Sequence, residues 1–165
     1  MTSRLRYLRY VAVYAVVVLG IMGLLAGCGD DGDDDNGPTD PGSGTTYTVT
    51  VPGNAAWTDT TIAVTVGQVV SVLADGTVTY DEEGNTCGPA GADWTDTQDQ
   101  QDPLWESPHA GLIGKIGEAG TPFFLGAEAT FTVDTDGVLL LGINDFWFQA
   151  NTGEFTVTVQ VTDAA

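Results

Sequence analysis

The sequence predicts an antiparallel β-sandwich, in the form of a jelly roll, for residues 47–165. Three observations support this fold class. Thr and Val alternate with period two through much of the region, which gives strands with one buried and one solvent-facing side. Gly- and Pro-containing turn signals separate these segments, and the region shows no helical periodicity. Roughly seven to nine short strands without helices are typical of two packed sheets.

The strands are predicted in order along the chain. Alternation or apolar character marks them at 47–51, 61–66, 69–74, 77–80, 111–117, 130–133, 137–144 and 155–161. The segment GVLLLGIN (137–144) is apolar on both faces, so we expect a central strand there. Turns are expected at Pro52-Gly53, Gly67-Gln68, Asp75-Gly76 and Asp136-Gly137. Residues 81–110 carry no strand pattern, and loops of that length are usually functional or mobile.

The N-terminal segment, residues 1–27, has the features of an export signal. Arg4, Arg6 and Arg9 precede an apolar run that ends in Leu-Leu-Ala-Gly, directly before Cys28. This arrangement resembles the lipobox of bacterial lipoproteins, which implies that Cys28 is lipidated and becomes the new N-terminus. The protein would then be exported and attached to a membrane through lipid, with the outer membrane favoured. A plain membrane-spanning anchor is the alternative, since the run approaches a spanning length.

Residues 28–46 are predicted to be the lipidated Cys and a disordered acidic linker. The segment holds six Asp among Gly and Pro and has no large apolar residue beyond Cys28. Such a composition cannot bury enough surface to offset the entropy of ordering. Like charges keep it extended, to a reach of at most about 60 Å.

The charge balance excludes one class of partner. The chain has 23 acidic residues and four basic ones, for a formal net charge of −19. Removal of residues 1–27 would leave Lys115 as the one basic residue, at about −22. A nucleic-acid partner requires cationic patches, so none is expected. If Cys28 carries lipid, Cys87 has no partner in the chain for a disulfide.

Three segments together resemble a known family. They are WTDTTIAVTVGQVVSVLADGTVTY (57–80), GLIGKIGEAGTPFFLG (111–126) and LLLGINDFWFQANTGEFTVTV (139–159). Their order and spacing are similar to those of the galactophilic lectin family of the PA-I type. The resemblance implies a jelly-roll sandwich with a calcium ion (Ca²⁺) at the loop between the last two strands. In the lectin proper, galactose binds through that calcium.

The resemblance carries over to individual residues only in part. Asp145 and Asn151 match the family's acidic and amide calcium ligands, and Tyr80 stands where the family supplies a backbone carbonyl. Ala150 replaces a residue that is usually Asn or Asp, and Phe146 one that is often polar. The galactose-contacting His-Pro-x-Gln stretch is absent. The alternative is that Asp145 and Asn151 only cap turns by accepting hydrogen bonds from backbone amides.

Aromatic residues suggest a carbohydrate platform in the same loop. In an extended loop, Phe146 and Phe148 would point one way and Trp147 the other. One side would then pack into the sandwich while the other is exposed to a sugar ring. Trp94 and Trp105, in the long loop, are candidates to complete the platform, and Trp57 is expected in the core.

The sequence shows no pattern of a catalytic site, so we expect a protein that is not an enzyme. The nucleophile elbow, the Ser/His/Asp set and the metal-binding His pair are missing, and the chain has one His. We expect His109 to be a structural or surface residue rather than a catalytic one. The function predicted from the sequence is a membrane-anchored lipoprotein with a non-catalytic carbohydrate-binding domain that uses calcium. The alternative is a structural or adhesion module of the same fold that has lost both ligands.

Overall fold

The computed structural model of the protein describes residues 44–163, so the predicted signal segment and nearly all of the predicted linker lie outside the described residues. The described part contains nine strands and one short 3₁₀-helix. The strands are β1 (Thr45–Pro52), β2 (Thr58–Val64), β3 (Val69–Thr79), β4 (Thr86–Cys87), β5 (Leu112–Ile116), β6 (Phe123–Phe124), β7 (Glu128–Thr132), β8 (Gly137–Ile143) and β9 (Thr152–Thr162). The 3₁₀-helix, Phe148–Ala150, lies between β8 and β9.

The strands form two antiparallel sheets, which confirms the predicted fold class. One sheet has the order β1-β9-β3-β4. The strand β7 also pairs with β3, along its first half and on the same side as β4. The other has the order β2-β8-β5-β6. The predicted central strand is confirmed, because β8 lies between β2 and β5. Since β9 lies between β1 and β3, the connection from β8 to β9 joins the interior strands of the two sheets.

The core follows from the alternating sequence pattern. In β3, Val70 and Val72 are buried, and in β9 Phe155 and Val157 are fully buried. From β8, the other sheet supplies Leu139, Leu141 and Ile143, which are also buried. Thr and other polar residues between these positions face outward, which is why period-two alternation sufficed to predict the sandwich.

The turn predicted at Asp75-Gly76 is wrong, because β3 passes through both residues without interruption. All 11 residues of β3 pair with β9, including Asp75 with Thr156 and Gly76 with Phe155. Gly76 has φ +114°, and the Gly76 N–H donates a hydrogen bond to the Asp75 carboxylate at 2.7 Å. Gly76 therefore allows a local distortion of the backbone within a continuous strand. The same Asp-Gly dipeptide often forms a turn in other contexts.

Residues 81–110 form a long loop with little regular structure, as predicted. It contains β4 and one isolated bridge between Thr95 and Pro108. The Asp96 carboxylate accepts hydrogen bonds from the backbone N–H groups of Asp102 (3.0 Å) and Gln101 (2.6 Å), which lower the pKa of Asp96. Across residues 44–163, no helix has the length and apolar character needed to cross a membrane.

Candidate functional site

The turn between β8 and β9 is compact, so the extended loop predicted for the three aromatics is wrong. The Asp145 carboxylate accepts a hydrogen bond from the Trp147 N–H at 2.7 Å and bends the chain, and the 3₁₀-helix follows at once. Phe146 and Trp147 are consequently both exposed, by 47% and 70%, while Phe148 is half-buried. The rings of Phe146 and Trp147 meet edge to face, with centroids 5.1 Å apart.

An open cleft of about 280 Å³ lies beside these aromatics. Trp147 and Asp145 are among its lining residues, together with Pro103 of the long loop and Trp57. Trp57, expected in the core, is half-buried, and the ammonium of Lys115 lies 4.5 Å from its ring centroid. The cleft thus has apolar walls and one carboxylate, a combination suited to a ligand with both apolar and hydroxyl faces.

Trp94 and Trp105, the two candidates in the long loop, do not line this cleft. Trp94 instead stacks on the imidazole of His109, with ring centroids 4.1 Å apart and planes 17° from parallel. Trp105 is half-buried. Of the three tryptophans predicted to contact ligand, the structure places Trp147 alone at the cleft.

Asp145 and Asn151 come together, as the resemblance implies for ligands of one ion. Both are 3% exposed, and the Asn151 Nδ2 donates a hydrogen bond to the Asp145 Oδ2 at 2.8 Å. The Asn151 Oδ1 is buried with no hydrogen-bond partner among the described residues. Asp145 does cap a turn through its other oxygen, whereas the Asn151 side chain bonds a carboxylate rather than a backbone amide. An unpartnered buried oxygen is costly, so it marks a place where a cation could bind.

His109 lies between Asp145 and a second carboxylate, that of Asp102. Its Nδ1 is 2.7 Å from the Asp102 Oδ2, and its Nε2 is 3.9 Å from the Asp145 Oδ2. All three residues are buried, and one ligand atom from each lies within 4.8 Å of the others. They therefore form a group that could hold a metal ion.

Tyr80 reaches the site through its ring. The Tyr80 ring meets the His109 imidazole edge-on, with centroids 5.3 Å apart, and that of Trp94 at 6.3 Å. The backbone N–H of His109 donates to the Trp94 carbonyl at 2.9 Å. Tyr80 and Trp94 thus enclose His109, which we expected to be a structural or surface residue.

Sequence reasoning missed Asp102 and Asn144. Asp102 lies in the long loop, outside any motif, and its Oδ1 accepts a hydrogen bond from the Phe146 N–H at 3.0 Å. Asn144 is fully buried; its Oδ1 accepts from the Leu104 N–H at 2.8 Å, and its Nδ2 donates to the Leu104 and Pro108 carbonyls at 3.0 and 3.1 Å. These bonds hold the long loop against the end of β8. The position of Asn144 directly before Asp145 was the available signal.

Cys87 is a buried free thiol in the described part of the chain. Burial, and then the negative charge of Asp145, raise the pKa of Cys87 to about 11. Its Sγ donates a weak hydrogen bond to the Ala110 carbonyl at 3.7 Å. A thiol with so high a pKa is a poor nucleophile at neutral pH.

The donor set suits a divalent cation but suits calcium poorly. Calcium takes six to eight oxygen ligands, and charged carboxylates set its affinity. Here Ala150 supplies no side-chain ligand, and the Phe148 carbonyl already accepts a hydrogen bond from the Asn151 N–H at 3.0 Å. A further ligand atom beside Asp145, the His109 Nε2 at 3.9 Å from its Oδ2, is a ring nitrogen rather than an oxygen.

Comparison with known proteins supports the fold and leaves the family open. No family model matches the chain, and no match is found among curated proteins. Among solved structures, the chain is similar to one described as the EclA N-terminal domain, a PllA-like lectin. The TM-score is 0.55 at 22% identity, over 70% of this chain and 95% of that one. The resemblance stated from the sequence is therefore confirmed as a lectin-like β-sandwich.

Proposed function

We propose that the protein is an exported lipoprotein whose β-sandwich binds carbohydrate without catalysis. The sugar binds in the cleft beside Phe146 and Trp147, and a divalent cation at Asp145 and Asn151 assists it. Lipid on Cys28 attaches the chain to a membrane, with the outer membrane favoured, and the acidic segment between Cys28 and β1 acts as a tether.

The observation that carries this proposal is the exposed aromatic pair beside a buried carboxylate. Trp147 is 70% exposed on a turn that the Asp145 carboxylate fixes, so its ring is available at little entropic cost. Aromatic faces stack on the apolar faces of sugar rings, while a carboxylate or bound ion pairs with hydroxyl groups. The similar solved structure is described as a lectin, which agrees with this use of the cleft.

A glycan array with the full chain in detergent, followed by calorimetry on the best sugar, tests the binding. We expect Trp147→Ala to weaken that sugar by about tenfold or more, because it removes the exposed stacking face. Tyr47→Ala is the matched control, since Tyr47 is an exposed aromatic of β1 that does not line the cleft. Equal binding by the Trp147→Ala protein would show that the sugar does not use this cleft.

Calcium, the ion implied by the resemblance, is tested by thermal unfolding with millimolar Ca²⁺ and then with a chelator. An ion that binds only the folded protein raises the Tm. We expect any rise to disappear in Asp145→Ala. A calcium-dependent rise that survives this substitution would place the ion elsewhere on the folded domain.

The lipid anchor is tested by metabolic labelling with a palmitate analogue. We expect the label on the wild-type chain and its loss in Cys28→Ala, together with release of the protein from the membrane fraction. Separation of the inner and outer membranes then locates the protein. A Cys28→Ala protein that stays in the membrane would favour the uncleaved anchor helix.

A structural or adhesion module is the second candidate function. One observation favours it: both Asp145 oxygens already accept hydrogen bonds, from the Trp147 N–H and the Asn151 Nδ2. The turn is therefore stable without an ion. A glycan array without hits, together with no effect of any divalent ion on the Tm, would support this candidate over carbohydrate binding.

A further inference from the structure

His109 is held in a single orientation by contacts on several sides. Its Nδ1 lies 2.7 Å from the Asp102 Oδ2, Trp94 stacks on its face and Tyr80 meets it edge-on. Its backbone N–H donates to the Trp94 carbonyl, and its carbonyl accepts from the Ala92 N–H at 2.8 Å. Such contacts restrict the ring, so the direction of its second nitrogen is determined by the fold.

The contact with Asp102 also assigns the tautomer. A carboxylate can only accept a hydrogen bond, so Nδ1 is the protonated nitrogen, and in the neutral ring the lone pair is on Nε2. The Nε2 atom is 3.9 Å from the Asp145 Oδ2, and this distance is too long for a hydrogen bond. A metal ion, or a proton on Nε2, would place a positive charge between these two acceptors.

Asn151 offers the third ligand. Its Oδ1 is buried without a partner among the described residues, while its Nδ2 donates to the same Asp145 Oδ2. A half-turn of the amide exchanges the two atoms and brings Oδ1 toward Asp145. That orientation is unfavourable when the Asn151 Oδ1 and the Asp145 Oδ2 face each other alone, and it is favourable when a cation lies between the two oxygens.

We propose that His109 Nε2, Asp145 Oδ2 and Asn151 Oδ1 bind Zn²⁺ in preference to Ca²⁺. Imidazole suits zinc and related first-row ions, whereas calcium prefers an all-oxygen shell. Two atoms about 2.1 Å from a tetrahedral ion are about 3.4 Å apart, so closing the 3.9 Å gap takes a shift of about half an ångström. This proposal rests on the proposed function, because it identifies the cation that would assist sugar binding from Asp145, a residue that lines the cleft.

Asp102 is a positioning residue in this arrangement. A metal-bound histidine commonly donates its other N–H to a carboxylate, which fixes the ring and raises its basicity. Asp102 makes this contact with Nδ1, and its other oxygen accepts from the Phe146 N–H. Asp102 thereby links the metal-binding ring to the aromatic turn of the cleft.

The test uses nitrogen-15 NMR of the imidazole in the full chain, freed of metal by a chelator. His109 is the one histidine of the sequence, so its two ring-nitrogen signals are unambiguous. We expect one equivalent of Zn²⁺ to shift the Nε2 signal from that of a free lone pair to that of a bound nitrogen, with little change at Nδ1. Millimolar Ca²⁺ is expected to leave both signals in place.

Calorimetry with Zn²⁺ and Ca²⁺ then compares variants. We expect a Zn²⁺ Kd at least about tenfold below that of Ca²⁺. Asp102→Asn should weaken Zn²⁺ by about 10- to 100-fold, and His109→Gln by more. Asp134→Asn, at an exposed acid in the loop after β7, is the control and should bind as wild type.

Three results would overturn the proposal. Zn²⁺ binding that leaves Nε2 unshifted would place the ion on other acids of the chain, such as those of the tether. Tighter binding of Ca²⁺ would restore the ion that the resemblance implies. No binding, with both ring nitrogens protonated, would show that a proton occupies the gap. Sugar binding that persists in any of these cases would leave the proposed function intact, so the two failures are distinguishable.

Discussion

Asn144 illustrates how one side chain determines the local geometry of the site. It is fully buried and satisfies both its acceptor and its donors on backbone groups of the long loop. Asp102 lies on that loop and Asp145 follows Asn144 in sequence. The residue therefore sets the spacing of the two carboxylates around His109, although it contributes no atom to the group that could hold a metal ion.

We predict that Asn144→Ala lowers the free energy of unfolding by about 3 kcal/mol or more. The substitution leaves the Leu104 N–H without its partner. It also removes the Asn144 donor from the Leu104 and Pro108 carbonyls, which keep hydrogen bonds from the Ser107 and Gly111 N–H groups. Denaturant unfolding measures the loss, and limited proteolysis should show faster cleavage within residues 92–108. Asn85→Ala is the control, because Asn85 is exposed and its side chain bonds Asp81 in a surface turn. An equal effect of both substitutions would contradict this role.

We predict that Cys87 makes stability fall as the pH rises from about 9 to about 11. The pKa of Cys87 is raised from 9.0 to about 11 in the folded protein, so the unfolded chain ionises first. Its contribution is therefore complete below pH 9 and is lost across that window, at roughly 2 kcal/mol. Unfolding of wild type and Cys87→Ala at several pH values isolates this contribution. Parallel pH curves for the two proteins would contradict the burial of the thiol beside Asp145.

Among the secondary-structure elements, β3 shows why a local motif can mislead. Asp75-Gly76 is a common turn dipeptide, yet 11 continuous pairings with β9 hold it in a strand. The tertiary context outweighs the local preference, because the flanking valines must stay in register with the core. The two-residue strands β4 and β6 were missed for the related reason that so short a segment has no periodicity to detect.

We predict that Gly76→Ala lowers the free energy of unfolding by about 2 kcal/mol or more. Gly76 has φ +114°, and a Cβ there would collide with the Glu154 carbonyl of β9. Gly84→Ala is the control, since Gly84 has φ +83° and a Cβ added there would meet no other atom within 4 Å. The difference between the two variants therefore measures the collision apart from the backbone strain. A Gly76→Ala protein as stable as Gly84→Ala would show that β9 can shift.

The whole molecule shows which parts of the site a sequence can reveal. The sandwich was predictable because alternation is a local property. Asp145 and Asn151 were found through the family resemblance, which one short segment of sequence carries for both residues. Asp102 was not found, since 44 positions separate it from its partner Phe146. The loop that carries Asp102 has no sequence pattern that predicts where it packs against β8. The contact between Asp102 and His109 is therefore visible only in the folded chain.

Charge acts at the same scale. The net charge of −19 means that like charges repel across the folded surface. We predict that raising NaCl from about 20 mM to about 500 mM increases the Tm by a few degrees, because salt screens this repulsion. KCl should act alike, since screening depends on ionic strength and not on the cation. A Tm that does not change in either salt would indicate that the acids are already offset locally.

The direction of β1 determines where the cleft lies relative to the point at which the chain enters the sandwich. Thr45 pairs with Val161 and Pro52 with Glu154, so β1 begins beside the last residues of β9. The aromatic turn precedes the first residue of β9, about 30 Å away along the strand. Any force or tether acting through Gly44 therefore pulls at the opposite pole from the cleft. If Cys28 carries lipid, as proposed, the cleft lies at the end of the sandwich farther from the point at which the chain leaves it for the membrane.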